Sequence, residues 1–165
     1  MRRRDFIKTV GLAATLATGQ SAPAAQNADG RPPNIVFLMA DDLGYGDLDC
    51  YGQELIRTPN IDRLADEGIL FRQAYAGGPV CASSRSMLMT GFHNDHTPAR
   101  DNIPHYHTYL EEGDVTVAEV LKKAGYRCGG IGKWSLGDAG TVGRATNQGF
   151  DMWFGYLNQN HVHYY

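Results

Sequence analysis

Apolar and polar positions divide the early part of the chain into an apolar run followed by a glycine-rich segment. Residues 34–39 read as Asn followed by five apolar residues. Such a run, without alternation, is typical of a strand buried on both faces. Asp41 and Asp42 follow it, and Gly44 and Gly46 come next. This pattern predicts a loop at the carboxyl end of the strand, a position that ligand sites favour in α/β folds.

Helical and strand-like patterns alternate farther along the chain. Residues 58–68 begin with Thr-Pro and end with Gly, which predicts a short helix. Residues 69–75 predict a strand, residues 115–123 a helix, and residues 125–131 another strand. Strands that alternate with helices indicate an α/β layered sheet with right-handed crossovers.

Residues 1–24 are predicted to be an export signal. Three arginines at positions 2–4 precede a small-residue apolar stretch at 9–18, and Ala-Pro-Ala at 22–24 has the form that signal peptidase cuts. Residues 3–8 resemble the twin-arginine motif, so we expect the export machinery to deliver the protein to the periplasm or outside the cell. The apolar stretch is too short to span a bilayer, and no stable membrane insertion is expected.

Length and net charge limit the number of domains and the kinds of partner that the chain can have. The 165 residues suffice for about one domain, and residues 25–33 predict a polar linker before a domain at 34–165. The formal net charge is −3 at pH 7, and no long run of one sign follows the N-terminus. These features give no indication of a nucleic-acid partner or of a polybasic membrane patch.

The cysteines are an odd number for an oxidising compartment. They are Cys50, Cys81 and Cys128, and their spacing matches no zinc site. At least one thiol therefore needs a separate explanation. Pairing of Cys50 with Cys128 stays open, because the sequence does not bring their Cα atoms within bonding distance.

The segment 77–91 changes character at Cys81. Gly-Gly-Pro at 77–79 predicts a loop, whereas residues 84–89 have helix-compatible spacing, so Cys81 is expected near a helix N-terminus. The helix dipole there favours an anion, and Arg85 lies on the same face four residues later. From these residues alone, a thiol nucleophile in a positive environment and a buried, unreactive cysteine both remain open.

Four ordered motifs resemble those of the sulfatase family. Residues 81–91 read Cys-Ala-Ser-Ser-Arg-Ser-Met-Leu-Met-Thr-Gly and are similar to the sulfatase signature, whose core is Cys-x-Pro/Ala-Ser-Arg. The other similar segments are residues 33–36 with 39–47, residues 58–65, and residues 132–134. The resemblance covers nearly all of the chain after the signal, and it makes residues 34–165 the N-terminal part of a sulfatase catalytic domain.

This resemblance implies both a fold and a chemistry. The implied fold is an alkaline-phosphatase-like α/β fold, with a mainly parallel sheet flanked by helices, which is incomplete in this chain because sulfatases are much longer. The implied activity is hydrolysis of a sulfate ester, with sulfated carbohydrates as a candidate substrate class. A maturation enzyme would oxidise Cys81 to formylglycine, whose hydrate carries one hydroxyl to attack sulfur and a second to expel sulfate.

The resemblance also assigns the residues of the site. Asp41 and Asp42, together with residue 81, are implied ligands of Ca²⁺, with Mg²⁺ as an alternative. Arg85 and Lys133 are implied to act with residue 81 in catalysis as cations aimed at an oxyanion. Lys133 is also expected to bind the sulfate group, and the histidine-containing segment near the end offers His163 as a substrate contact.

Two positions depart from the family pattern. Ser135 stands where His usually follows Gly-Lys-Trp, and on a strand it would share a face with Lys133. A hydroxyl does not titrate near neutrality, so we expect weakened or rearranged catalysis. Ser83 replaces the usual Pro or Ala of the signature. This replacement is expected to affect how efficiently the maturation enzyme converts Cys81.

Two alternatives therefore remain beside a sulfatase. One is a phosphatase or phosphonate monoester hydrolase of the same fold, because a site for a tetrahedral oxyanion does not separate sulfur from phosphorus by motif alone. The other is a non-catalytic exported binding protein descended from a sulfatase. Because further calcium ligands of the family have no match here, we expect this chain alone to bind metal weakly.

Overall fold

The computed structural model describes residues 30–103, 108–158 and 160–162. The predicted signal and residues 25–29 of the predicted linker lie outside the described residues. The chain divides after Ala40 into two compact units, and all the helices and strands described below belong to Asp41–Tyr165. Within the described ranges, no helix has the length and apolar content that crossing a membrane requires.

In the first unit, the predicted strand at 34–39 is absent from the structure. The segment has no regular secondary structure, and its apolar side chains are exposed, from 42% at Met39 to 83% at Leu38. An apolar run indicates that a segment suits a buried strand, but a strand forms only where a neighbouring strand bonds to it. The described part of this unit contains no such neighbour.

Three α-helices occur in the described part of the second unit. Helix α1 spans Pro59–Glu67, helix α2 spans Cys81–Thr90, and helix α3 spans Val117–Lys123. The predicted ends of α1 are confirmed, with Thr58 preceding it and Gly68 following it. Helix α3 begins two residues later than expected because a capping box fixes its start, with Thr116 Oγ1 accepting from the N–H of Glu119 at 3.3 Å.

The described residues also form short turns of 3₁₀-helix. They span Tyr45–Asp47, Asp49–Tyr51, Ala145–Asn147 and Asn160–Val162.

The described strands form one parallel pair. Strand β1, Gly129–Ile131, pairs with strand β2, Met152–Phe154, with Gly130 opposite Trp153. Strand β1 covers only the last three residues of the strand predicted at 125–131. Strand β2 was not predicted from the sequence. The predicted strand at 69–75 is wrong, since that segment is irregular and its Ile69, Phe71 and Tyr75 side chains are exposed.

Backbone bonding continues past the end of β1 and fixes the chain there. The N–H of Gly132 donates to Phe154 O at 2.9 Å, and the N–H of Trp134 donates to Tyr156 O at 2.8 Å. Lys133 lies between these two bonded residues. Its backbone position is therefore set by pairing with the end of β2 and with the segment that follows it.

A small aromatic core supports the same stretch. Trp134 is 1% exposed, and its ring lies 5.0 Å from that of Trp153 and 5.5 Å from that of Phe150, both in edge-on contact. Its indole Nε1 donates to Gly143 O at 2.8 Å, so the polar end of the ring is also satisfied. Other buried members of the cluster are Ala82, Ala99, Leu110, Leu136 and Ala145.

Candidate functional site

Cys81 is the first residue of α2, as the sequence predicts. The residue before the helix, Val80, has no side chain that can cap it. Instead, Asn102 supplies the missing acceptor from a distant loop, because its Oδ1 accepts from the N–H of Ala82 at 2.9 Å. Sequence reasoning missed Asn102, and no local signal identifies it, since the contact joins residues twenty positions apart.

The two aspartates reach Cys81 through a turn at Asp42. Asp42 has a φ of 57°, in the left-handed region that Asp tolerates better than most residues. Gly44 and Gly46 of the predicted loop do not make this turn, since neither has a positive φ. Ligand atoms of Asp41, Asp42 and Cys81 all lie within 4.8 Å of one another.

Lys133 places its ammonium beside the thiol of Cys81. Its Nζ lies 2.9 Å from Asp41 Oδ2 and 3.2 Å from Cys81 Sγ. Its side chain is only 7% exposed. A shielded ammonium needs a compensating charge, which Asp41 provides.

Arg85 occupies the next turn of α2, on the side predicted from its spacing. Its Nη2 lies 3.6 Å from Asp41 Oδ1, and its Nη1 donates to the carbonyl oxygen of Lys133. Its Nε is buried and has no partner among the described residues. The guanidinium therefore joins the loop of Lys133 to the carboxylate, and its Nε–H remains available.

Asp41 is held as a carboxylate by these neighbours. Partial burial raises the pKa of Asp41, but the hydrogen bond from Lys133 and the charges of Lys133 and Arg85 outweigh it, so the pKa is lowered overall. Asp41 Oδ1 also accepts from Cys81 Sγ at 3.7 Å. Two cations, a carboxylate and residue 81 thus share one small region.

The donor set suits a hard cation only in part. The two carboxylates are typical ligands of Ca²⁺ or Mg²⁺, whereas a thiolate prefers softer metals. An oxygen on residue 81, as in a formylglycine hydrate, would make all three donors oxygens, which suits a hard cation. Ca²⁺ takes about six to eight oxygen ligands, so these residues fit the ion as part of its coordination shell.

The structure therefore brings five of the six predicted site residues together. Asp41, Asp42, Cys81, Arg85 and Lys133 surround one point at the N-terminus of α2. His163 lies outside the described residues. Cys50 and Cys128 are free thiols, so the disulfide that the sequence left open is not formed.

The two departures from the family pattern lie at buried positions. Ser83 is fully buried, and its Oγ donates to Val80 O at 3.1 Å. Because backbone N–H groups in a first helical turn need no intrahelical partner, Ser and Pro both fit at this position.

The sequence had suggested that Ser135 shares a strand face with Lys133, but the structure shows that it does not. Strand β1 ends at Ile131, and Ser135 has a φ of 66°. Ser135 is 2% exposed, and its Oγ has no hydrogen-bond partner in the part of the chain that the structure describes.

Comparison with known proteins relates this geometry to a family. The family model described as Sulfatase matches residues 33–165. The chain is similar to N-acetylgalactosamine-6-sulfatase of Homo sapiens, with 39% identity over 137 residues, which is 78% of this chain and 26% of the relative. The chain thus spans about a quarter of the length of that curated relative.

Solved structures share the fold. One, from work on the metabolism of multiple glycosaminoglycans by Bacteroides thetaiotaomicron, has a TM-score of 0.66 and 37% identity, covering 78% of this chain and 29% of that one. Another, in complex with its substrate D-glucosamine-2-N,6-O-disulfate, has a TM-score of 0.63 and 37% identity, covering 73% of this chain and 22% of that one. These likenesses confirm the expected alkaline-phosphatase-like α/β class.

We predict that Ser135→Gly stabilises the whole protein by about 1 kcal/mol, because a positive φ strains a non-glycine residue and a buried hydroxyl without a partner is unfavourable. Ser135→Ala removes only the hydroxyl and should stabilise less. Both changes in the free energy of unfolding can be measured as shifts in the denaturant midpoint, provided that the m-value is unchanged. Lower stability in both variants would contradict this description of the position.

Proposed function

Because the chain belongs to the sulfatase family, we propose that the whole protein hydrolyses sulfate esters through a formylglycine made from Cys81. The observation that carries the proposal is the position of residue 81. It begins α2, with Lys133 Nζ 3.2 Å and Asp41 Oδ1 3.7 Å from its Sγ. A group that reacts with an anionic ester needs this combination of cation and hydrogen-bond acceptor.

The two cations serve the sulfate group. Lys133 contacts residue 81 from the loop after β1, whereas Arg85 lies one turn along α2 from it. Both side chains are largely shielded from water. Shielding strengthens their attraction for a sulfate oxygen. We assign Lys133 to the sulfate group itself and Arg85 to residue 81 and to the charge that develops on the sulfate during transfer.

The carboxylates would hold the hydroxyls of a formylglycine hydrate at position 81 and the metal. Asp41 accepts a hydrogen bond from the side chain of residue 81, and its lowered pKa keeps it ionised as an acceptor. Asp41, Asp42 and residue 81 would hold Ca²⁺, with Mg²⁺ as the alternative. When bound, the cation would polarise a sulfate oxygen and lower the pKa of a hydroxyl.

Support for a substrate class comes from the relatives and not from this site. One relative is named for a sulfated amino sugar, and one similar structure contains a disulfated glucosamine as its substrate. These facts favour a sulfated carbohydrate. The sequence at 1–24 favours delivery by export machinery to the periplasm or outside the cell, and conversion of Cys81 requires a formylglycine-generating maturation enzyme as a partner.

The proposal predicts that Cys81→Ala lowers aryl sulfate turnover by the whole protein at least about 10⁴-fold, because the reacting group is lost. Cys128→Ala, which removes another free thiol, is the matched control and should keep full turnover. Peptide mass spectrometry after coexpression with the maturation enzyme should show an aldehyde at position 81 and unchanged thiols elsewhere.

The competing functions give different results in the same experiment. Faster turnover of aryl phosphate than of aryl sulfate would replace the proposal with a phosphatase. A thiol that persists at position 81 without any turnover would favour a binding protein.

Removing one carboxylate tests the metal assignment. We expect Asp42→Asn to raise the Ca²⁺ concentration for half-maximal activity at least about tenfold, because a charged oxygen donor is lost. Asp66→Asn makes the same charge change on the exposed side of α1 and should have no such effect. An unchanged Ca²⁺ requirement in Asp42→Asn would remove this residue from the metal site.

A further inference from the structure

A loop segment, residues 97–102, lies against α2 and is bonded to it near both ends; we call it the strap. At its start, Thr97 Oγ1 donates to Ser86 Oγ at 2.5 Å, and the N–H of Ala99 donates to the same oxygen at 3.3 Å. Thr97, Ala99 and Ser86 are all fully buried. The middle of α2 is therefore tied to the strap where water does not compete.

The other end of the strap reaches the residue next to Cys81. Asn102 Oδ1 accepts from the N–H of Ala82 at 2.9 Å, and Ala82 is fully buried. The conformation of Asn102 is itself fixed, because Asp101 Oδ1 accepts from the N–H of Asn102 at 2.6 Å and from that of Ile103 at 3.3 Å. Such Asx turns hold a loop residue in one orientation.

Asn102 replaces the cap that α2 lacks. A helix N-terminus leaves its first N–H groups without intrahelical partners, and the preceding residue usually satisfies one of them with a side-chain oxygen. Val80 has no such oxygen. The contact from Asn102 thus satisfies a buried donor directly beside the reacting residue.

We propose that Asn102 is a positioning residue for position 81, a role that rests on the proposed function. By holding the N–H of Ala82, it fixes the first turn of α2, and with it the direction in which the side chain of residue 81 leaves the backbone. That direction decides whether the side chain meets Lys133 Nζ and Asp41 Oδ1, now 3.2 and 3.7 Å from Sγ. A displacement of about 1 Å at a reacting group can lower the reaction rate about 100-fold.

The test compares variants at the two ends of the strap in the whole protein. Asn102→Ala removes the acceptor at the first turn. Asn102→Asp keeps an oxygen acceptor, and its charge suits a helix N-terminus. Thr97→Val is the matched control, because it loosens the strap at Ser86 without changing the contact to Ala82.

Two measurements are made on each variant. The first is steady-state kinetics with an aryl sulfate after maturation. The second is amide hydrogen exchange of the peptide that contains the first turn of α2, in protein produced without the maturation enzyme.

We expect Asn102→Ala to lower kcat about 10- to 100-fold with KM within about twofold, because orientation changes while substrate contacts remain. Exchange in the first turn of α2 should become faster in the same variant. Asn102→Asp should restore kcat to within about threefold of the wild-type value, since the acceptor is retained. In Thr97→Val, both kcat and the rate of amide exchange in the first turn of α2 should stay at their wild-type values.

Other outcomes would overturn the role. Wild-type kcat in Asn102→Ala, no rescue by Asn102→Asp, or an equal loss in Thr97→Val would each do so. If Asn102→Ala does not fold, Asn102→Gln, which keeps the amide but displaces its oxygen, takes its place with the same expected loss. If the wild-type protein hydrolyses no sulfate ester, the proposed function fails, and the exchange comparison alone decides whether Asn102 holds position 81.

Discussion

The ion pair between Lys133 and Asp41 is the contact on which the arrangement of the site depends. The two side chains lie 92 residues apart in sequence and 2.9 Å apart in space. Lys133 is shielded from water, so its charge requires the carboxylate, and the carboxylate in turn stays ionised beside the ammonium. Because the same ammonium contacts residue 81, the pair sets the electrostatic environment of the proposed reacting group.

Three separate supports hold these charges in place. The buried Trp134 ring and the backbone bonds beyond β1 fix the position of Lys133. The positive φ of Asp42 turns the chain so that both aspartates reach the N-terminus of α2. Asn102 holds the first turn of that helix from the strap. The reacting position is thus fixed mainly by contacts between distant parts of the chain.

The features that the sequence predicted well are those that local chemistry specifies. The ends of α1 follow from Thr58, Pro59 and Gly68, and the start of α2 follows from the change of pattern at position 81. The predicted strands at 34–39 and 69–75 were wrong, because an apolar run does not specify the neighbouring strand that it needs. The site was predictable through its resemblance to a family, whereas Asn102 and the buried conformation of Ser135 depend on tertiary contacts that no local pattern shows.

In the proposed reaction residue 81 takes up the sulfate group, and that intermediate can be trapped. In Cys81→Ser, position 81 has one hydroxyl in place of the two of an aldehyde hydrate, so it lacks the second hydroxyl that would expel sulfate. Mass spectrometry of the peptide containing position 81, after incubation of the whole protein with an aryl sulfate, is predicted to show a retained sulfate group on Ser. A peptide that stays unmodified, or one that takes up phosphate from an aryl phosphate but no sulfate, would contradict the account.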